Sequence, residues 1–384
     1  ATPPPPPVVP SDGTYNSIGR AAGGARVSGT RHLGDGLRLT AGLDLQSMRD
    51  NRRNQRSSLG IPTGAVLTDQ RETVTEIGPF AQMHWEPTPE LLLIAAARWD
   101  HLVFNVTDHL LSDGLDNSGK RVMESASGSL GLSHQRSRAA TVYANVSTSF
   151  ESPTTTELVN QANGTVGFNT TLGPQRTVTG EAGVRGRVGG VDYSASGFIG
   201  GIRDAIIQAR EQDGRAFFEN AGKVRIRGLE VGLGAAPVSW LALQGAYTLG
   251  SYRFSEYRIP NGAVTDTLDG KRLAGVPKHF FRATATATLG ALVLEVDQLT
   301  ASDVFADDRN TQPVEGWGAG ITSFRVSGTI TTRAFAVQPF GAVNNAFDRR
   351  YVGSVNLNGA AGRILEPAPG RNVYVGMEIA WARR

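Results

Sequence analysis

The chain has no cysteine, and none of its 384 residues fall in a run of 18 consecutive apolar side chains. The first absence excludes a disulfide scaffold and thiolate metal sites. The second excludes a transmembrane helix, which needs about 20 consecutive apolar residues. Charge of one sign is also lacking: 38 Lys and Arg mixed evenly with 35 Asp and Glu leave +3, too little and too dispersed for a nucleic-acid surface. Catalytic signatures are missing as well. The six histidines, His32, His84, His101, His109, His134 and His279, form no His-x-x-x-His pair, and there is neither a Gly-x-Ser-x-Gly elbow nor a P-loop. The expectation is a protein that is not an enzyme and carries no cofactor.

What is present is alternation. From Asn372 to Trp381, Val373, Val375, Met377, Ile379 and Trp381 are apolar, while Tyr374, Gly376, Glu378 and Ala380 fall between them. In a strand this period of two makes one apolar face. The pattern recurs in segments of about ten residues, joined alternately by short turns and long polar loops, the signature of a transmembrane β-barrel. Only every second strand residue then meets lipid, so the composition stays that of a soluble protein. The expected location is a bacterial outer membrane. Ahead of the pattern, residues 1–14 begin with a proline run, ATPPPPPVVP, which favours extended polyproline structure and resembles neither a signal peptide nor a membrane anchor.

Short turns are expected at Gly34 to Gly36, Pro87 to Pro89, Gln135 to Ser137, Gly186 to Gly190, Ala235 to Val238, Leu289 to Ala291 and Thr332 to Arg333. Longer loops are expected near 49–72, 107–120, 151–174, 209–220, 254–275, 303–318 and 350–369. The fold class is therefore all-β, an antiparallel barrel of about 15 strands. Bacterial single-chain barrels have an even number of strands, with short turns on the periplasmic side. The first strand here must then run inward, and an odd-numbered set is expected to precede it.

Individual strands sharpen this. Phe281, Ala283, Ala285, Ala287 and Leu289 oppose Arg282, Thr284, Thr286 and Thr288, as a lipid face opposes a wet lumen. Arg98 and Asp100 share a face, with Ala95, Ala97 and Trp99 on the other. Val224 and Ile226 are even-numbered but Leu229, Val231 and Leu233 are odd, so a β-bulge is expected at Gly228. Lys223, Arg225 and Arg227 read either as a positive lumen stripe or, more simply, as ordinary charged positions of a wet wall, Arg227 and Glu230 balancing each other across the bulge. Trp85, Trp240 and Trp381 each adjoin a short turn or the C-terminus, where an aromatic girdle would sit at the periplasmic rim.

The segment Asn344-Asn345-Ala346-Phe347-Asp348-Arg349-Arg350-Tyr351, followed by Glu366-Pro367-Ala368-Pro369-Gly370-Arg371-Asn372-Val373-Tyr374-Val375-Gly376, resembles the C-terminal signature of TonB-dependent outer-membrane receptors. Other stretches resemble the same barrel: Tyr143 to Pro153 with Glu157-Leu158, Glu181 to Gly186, Asn220-Ala221-Gly222 through Arg227-Gly228-Leu229-Glu230, and more weakly Gly275 to His279. Together they cover roughly residues 90 to 384. One departure is that Ala382, Arg383 and Arg384 follow Trp381, where this family commonly ends on an aromatic residue.

The resemblance implies a barrel of 22 strands around a plugged lumen, of which residues 15–384 would supply the C-terminal portion. The plug, the TonB-contacting box and about seven strands are then absent from this chain, which is expected to be part of a longer protein. It further implies import of a scarce, bulky nutrient, most often a ferric siderophore or similar iron complex, with TonB as energy-coupling partner and outer-membrane lipid and lipopolysaccharide as surroundings. Cobalamin, a copper complex or an oligosaccharide are alternative ligands. A passive pore or structural barrel, or a soluble β-sandwich, are alternatives of a different class.

Iron chelates are commonly anionic, so cationic and aromatic loop residues are the natural recognition groups. By location these are Arg210, Arg215, Tyr252, Arg253, Tyr257, Arg258, Arg272 and Arg363. No metal site is expected. His109 stands alone in a loop, and Asp113, Asp116, Asn117 and Gly119 lack EF-hand spacing and read as an Asx-rich turn.

Overall fold

The structure is a computed structural model that describes residues 13–159, 167–212, 215–220, 222–261, 264–318, 320–332, 334–359 and 364–381. Its first strands are β1 (Gly13–Gly34), β2 (Leu37–Ser58), β3 (Ile61–Thr88), β4 (Leu91–Asp108), β5 (Gly119–Ser137) and β6 (Ala140–Glu151). A short helix α1 (Thr155–Leu158) precedes β7 (Gln175–Val188), β8 (Val191–Arg203), β9 (Ile206–Gln212), β10 (Arg215–Asn220), β11 (Lys223–Val238) and β12 (Leu241–Glu256). Then come β13 (Arg258–Asn261), β14 (Val264–Thr267), β15 (His279–Leu289), β16 (Leu292–Ala301), β17 (Val304–Phe305) and β18 (Pro313–Val314). The last are β19 (Ile321–Gly328), β20 (Ile330–Thr331), β21 (Phe335–Asn344), β22 (Val352–Val355), β23 (Leu365–Pro367) and β24 (Asn372–Trp381).

One antiparallel sheet of 16 segments runs β1-β2-β3-β4-β5-β6-β7-β8-β11-β12-β15-β16-β19-β21, with β20 and β24 also paired to β21. Only Thr329 separates β19 from β20, so the chain makes about 15 passes, as the turn spacing implies. The pairs β9–β10, β13–β14, β17–β18 and β22–β23 are small separate hairpins lying in the long connections. Among the described residues no pairing joins β1 to β24.

The two faces of the sheet differ as the alternation demands. Outward positions expose Leu43 and Leu45 of β2, Leu130 and Leu132 of β5, Leu229, Val231 and Leu233 of β11, and Val373, Met377 and Ile379 of β24. Val375 is 82% exposed and Ile199 70%. A band of that kind suits an apolar solvent and would be a severe liability in water. Inward positions carry paired charges: Arg20 with Asp50 at 2.7 Å, Arg282 with Asp297 at 2.8 Å, Arg26 with Asp44, and Arg98 with Asp44, Glu76 and Asp100. Trp85, Trp240 and Trp381 are exposed at the short-turn end of the sheet, where a girdle belongs.

Three expectations are corrected. Residues 49–72 are not a loop, because β2 and β3 continue to a tight turn at Leu59 (φ 54°) and Gly60 (φ 80°). Two successive positive φ values are what a two-residue type I′ hairpin requires. The polarity that suggested a loop comes from strand ends paired by ions rather than by lipid. No bulge occurs at Gly228, where register runs unbroken against both neighbours; the irregularities against β12 lie at the two ends of β11, between Lys223 and Val224 and between Ala235 and Val238, the second containing Pro237, which has no N–H to give a ladder. Gly228 is required for another reason: a Cβ there would lie 2.3 Å from Phe198 Cζ and 2.4 Å from Leu249 O. The turns after β5 and β11 fall at 138–139 and 239–240, slightly beyond the expected positions, since hydrogen-bonded pairing persists to Ser137–Ala140 and Val238–Leu241.

Candidate functional site

The long connections gather at one end of the sheet, and there the inward face changes character. Below, it is polar; at the mouth, strand ends turn apolar side chains inward and the connections fold over them. Val224, Ile226 and Phe254 pack with Ala205, Ile207, Tyr257 and Leu268. This is why the parity of β11 misleads: its inner face becomes a small hydrophobic core where lumen gives way to loop. Leu102, Phe104, Val106 and Met123 are covered in the same way by Leu158, Phe168 and Leu172. A third cluster, Val304, Ala306 and Val314 with Val352 and Val355, joins the last two long connections.

Polar ties bind these connections to the wall and to each other. Helix α1 begins with a capping box in which Glu157 N–H donates to Thr154 Oγ1 at 3.3 Å and Thr154 N–H to Glu157 Oε2 at 2.6 Å. Thr155 Oγ1 then donates to Glu72 Oε2 at 2.5 Å, and Arg52 Nη2 to Thr156 Oγ1 at 2.8 Å, latching the helix to β2 and β3. Gly173 N–H donates to Asn220 Oδ1 at 2.6 Å, linking this connection to the β9–β10 hairpin. Arg309 reaches Asp266 at 2.7 Å, Gly275 N–H donates to Phe305 O at 2.8 Å, and Asn358 Nδ2 donates to Asp308 Oδ2 at 3.0 Å. The β13–β14, β17–β18 and β22–β23 hairpins thus form one tied unit.

The eight expected ligand residues are distributed unevenly over this mouth. Tyr257 is 2% exposed, its ring 4.9 Å from that of Phe254, and burial pushes its phenol well above the ordinary range, with the Glu219 and Asp308 charges adding. It holds the loop base and presents no open surface. Tyr252 packs against the same cluster. Arg258 is exposed at the start of β13. Arg253 stands opposite Arg225 on the outer face and donates to Gly270 O at 2.6 Å, so it points away from the lumen. Arg272 is bridged to Arg253, donates to Val276 O and Asp303 O at 3.2 and 3.3 Å, and lies 5.2 Å from the Phe305 ring. Arg210 and Arg215 stand in β9 and β10, opposite Phe217 and Gln212. Arg363 lies outside the described residues. Lys223, Arg225 and Arg227, read as a lumen wall, are on the outer face, because Leu229 and Val231 of the same parity are exposed to the outside.

Among the described residues no group of three His, Cys, Asp or Glu could hold a metal ion. Asp113 and Asp116 accept from Leu115 N–H at 3.0 Å and Ser118 N–H at 2.9 Å, the two-residue reach of Asx turns. The Ser118 hydroxyl and amide hold the Asp116 carboxyl below the usual carboxylate range. Residues the sequence reading passed over are Arg52, Glu72 and Thr155, although the Thr154-x-x-Glu157 capping signature was present to announce a helix there.

A long-stranded antiparallel sheet with an apolar outer band, an ionic inner face and folded loops at one end defines the transmembrane β-barrel class. Within it, the family model described as TonB dependent receptor-like, beta-barrel matches residues 2–360, and the chain belongs to that family. The family is one of outer-membrane transport receptors. Solved structures similar in fold include the copper transporter OprC (20% identity, TM-score 0.75, 96% of this chain and 57% of that one). The ferric yersiniabactin uptake receptor FyuA from Yersinia pestis matches at 16% identity and TM-score 0.71, over 96% of this chain and 54% of that one. The ferric citrate transporter FecA matches at 15% identity and TM-score 0.71, over 96% and 56%. The chain spans just over half the length of these structures.

Proposed function

We propose that this chain is the C-terminal barrel portion of a TonB-coupled importer in a bacterial outer membrane, with a ferric siderophore or similar iron complex as ligand. The observation that carries the reading is the tied loop mouth. Three long connections share the Arg309–Asp266 ion pair and hydrogen bonds across up to 50 residues of sequence, and each loop group owns a buried core. A passive pore needs no such order at its entrance. A receptor that must recognise a bulky solute does, because preorganised loops lose less entropy on binding. In this reading Arg258 and the β9–β10 positions Arg210 and Arg215 are the cations offered to an anionic chelate, with Arg363 as a further candidate.

The plug, the TonB box and about seven further strands are proposed to precede residues 15–384 in the complete protein. Family membership and the 54–57% coverage of the solved structures support this. The test is uptake of radiolabelled ferric chelates by cells expressing the complete receptor, with and without TonB. Energy-dependent accumulation of one chelate supports the reading. Equal TonB-independent entry of unrelated solutes marks a pore instead, and accumulation of a copper complex alone would favour that ligand.

A further inference from the structure

The inward face of the sheet is not uniform. On β1 to β4, Arg20, Arg26, Arg52 and Arg98 are matched by carboxylates, whereas across β7, β8, β11, β12 and β15, toward the short turns, the wall recedes into a cavity of about 1020 Å³. Cross-strand register sets its floor. Ser194 pairs with Arg185 and Gly232, Gly232 with Ala246, and Ala246 with Arg282, all on the face opposite the exposed Leu229, Val231 and Leu233. Three neighbouring strands thus offer the lumen only Ser194, Gly232, Gly234 and Ala246 at this level, and the missing bulk is the hollow. Gly234 lies eight residues along β11 from Ile226, about 26 Å at about 3.3 Å per residue, so the hollow is remote from the loop core at the mouth.

Cations border this hollow. Arg138, Arg185, Arg187 and Arg282 line it against a single lining carboxylate, Asp192. Arg187 holds Asp192 at 2.6 Å, and Arg282 holds Asp297 at 2.8 Å. Among the described residues no carboxylate lies within ion-pair distance of Arg138 or Arg185; the guanidinium carbon of Arg185 stands 6.0 Å from the centre of the Tyr143 ring instead. Thr141 and Thr284 add hydroxyls and Gln244 an amide. A packing gap that nothing occupies is apolar, lined by aliphatic side chains. Two uncompensated guanidinium forks and neutral hydrogen-bonding groups around a small-molecule volume are instead the makings of an anion site.

We propose that this hollow is a second solute site, at the periplasmic end of the lumen, where Arg138 and Arg185 hold carboxylate or phenolate oxygens of an anionic solute on its way from the mouth to the periplasm. Guanidinium forks match carboxylates bidentately. Charge directs the solute to this part of the wall, because Arg20, Arg26, Arg52 and Arg98 elsewhere on it are already engaged by their own carboxylates. The floor of small residues lets a bulky anion come close enough for both forks to reach it. The identity of the solute rests on the import reading above, whereas the hollow and its charge rest on the wall alone.

The test places Ser194→Cys in the complete receptor, in cells with active TonB, and reads how fast the new thiol reacts beyond the rate of the unsubstituted receptor. The 384 residues hold no cysteine of their own. A sulfonate-bearing methanethiosulfonate should react about tenfold faster than a trimethylammonium one, each relative to its rate with a free thiol, because a positive field concentrates anions. Arg138→Gln/Arg185→Gln should abolish the difference. Ferric citrate, a carboxylate chelate, should slow the reaction saturably and lose that effect in the double variant, while an uncharged ferric trihydroxamate should not protect. Equal rates for the two reagents, equal protection by the two chelates, or protection unaltered in the double variant would each overturn the proposal. So would a thiol that neither reagent reaches, since the hollow would then hold a protein segment rather than a solute. Heat-modifiable electrophoretic mobility reports whether the double variant is folded; if it is not, the two reagents and the two chelates on Ser194→Cys decide. TonB-independent entry of unrelated solutes, with charge preference and protection intact, would fault the transport reading alone.

Discussion

Replacing Arg52 by Met tests whether the loop carrying α1 is latched to the wall by a buried ion pair. Glu72 accepts from Arg52 Nε at 2.6 Å and Nη2 at 3.3 Å, from Gln70 Nε2 at 2.7 Å and from Thr155 Oγ1 at 2.5 Å. Its side chain is 0% exposed and that of Arg52 13%, so solvent can replace little of what is lost. Met keeps the bulk but leaves a buried carboxylate with only neutral donors. Breaking such a pair from one side costs about 3–5 kcal/mol. In Arg52→Met/Glu72→Gln the uncompensated charge is gone and Gln still accepts from Thr155, so at least half of the loss should return. Guanidinium unfolding in detergent, followed by tryptophan fluorescence, gives the stabilities, and proteolysis within residues 151–174 reports the latch itself. A single variant within about 1 kcal/mol of wild type, or a double variant no more stable than the single, would refute the reasoning.

Other perturbations follow from the same structure. Arg98 serves Asp44, Glu76 and Asp100 while only 25% exposed, so Arg98→Ala should cost about 3 kcal/mol or more in the same unfolding assay, more than any single carboxylate-to-amide change around it. Gly228→Val should lower the yield of heat-modifiable barrel, and Phe198→Ala combined with it should recover only part of the yield, because removing the ring leaves the Leu249 carbonyl oxygen 2.4 Å from the new Cβ. Burial holds the Asp308 carboxyl above the usual carboxylate range against opposing hydrogen bonds from Asn358 and the Ala274 amide. An acid raised in the folded state is destabilising when ionised. The tied hairpins should therefore gain protease resistance as pH falls through that raised value, the gain being complete below the ordinary value, and Asp308→Asn should flatten the profile.

The barrel was legible because its constraint is local: lipid on one side and water on the other impose a period of two wherever the chain crosses, and seven short turns punctuate it. The errors came where that constraint lapses. At 49–72 the strands outrun the membrane, and a pattern of Arg, Asn and Gln that no longer alternates in polarity still forms a ladder, since Arg52 meets Glu72 and Arg53 meets Asp69 only after the strands pair. On β11 the parity of hydrophobicity changed not because the backbone slipped but because two different surroundings are apolar, lipid outside Leu229 and loop core inside Ile226. Without knowing which, Arg225 and Arg227 could not be assigned a side. Nor could a loop Tyr be told from a core Tyr: Tyr257 is buried by Leu268 and Val224, residues distant in sequence that no short-range pattern connects to it.

The same pairing that closes the inner face shapes what the lumen can do. Arg20, Arg26, Arg52 and Arg98 are already engaged with Asp50, Asp44, Glu72, Glu76 and Asp100, all within the wall. In the proposed importer, a domain seated against β1–β4 would meet a polar surface whose arginines and carboxylates are already paired with one another, so its attachment there would rest on water-mediated and weakly charged contacts. Such contacts let go stepwise and re-form, whereas unpaired wall charges would bind a plug in a few deep, costly-to-break ion pairs. On the outer face the arrangement is the opposite: among the described residues Arg225, Arg227 and Arg253 have no carboxylate within ion-pair distance, and Arg253 donates to the Gly270 carbonyl instead.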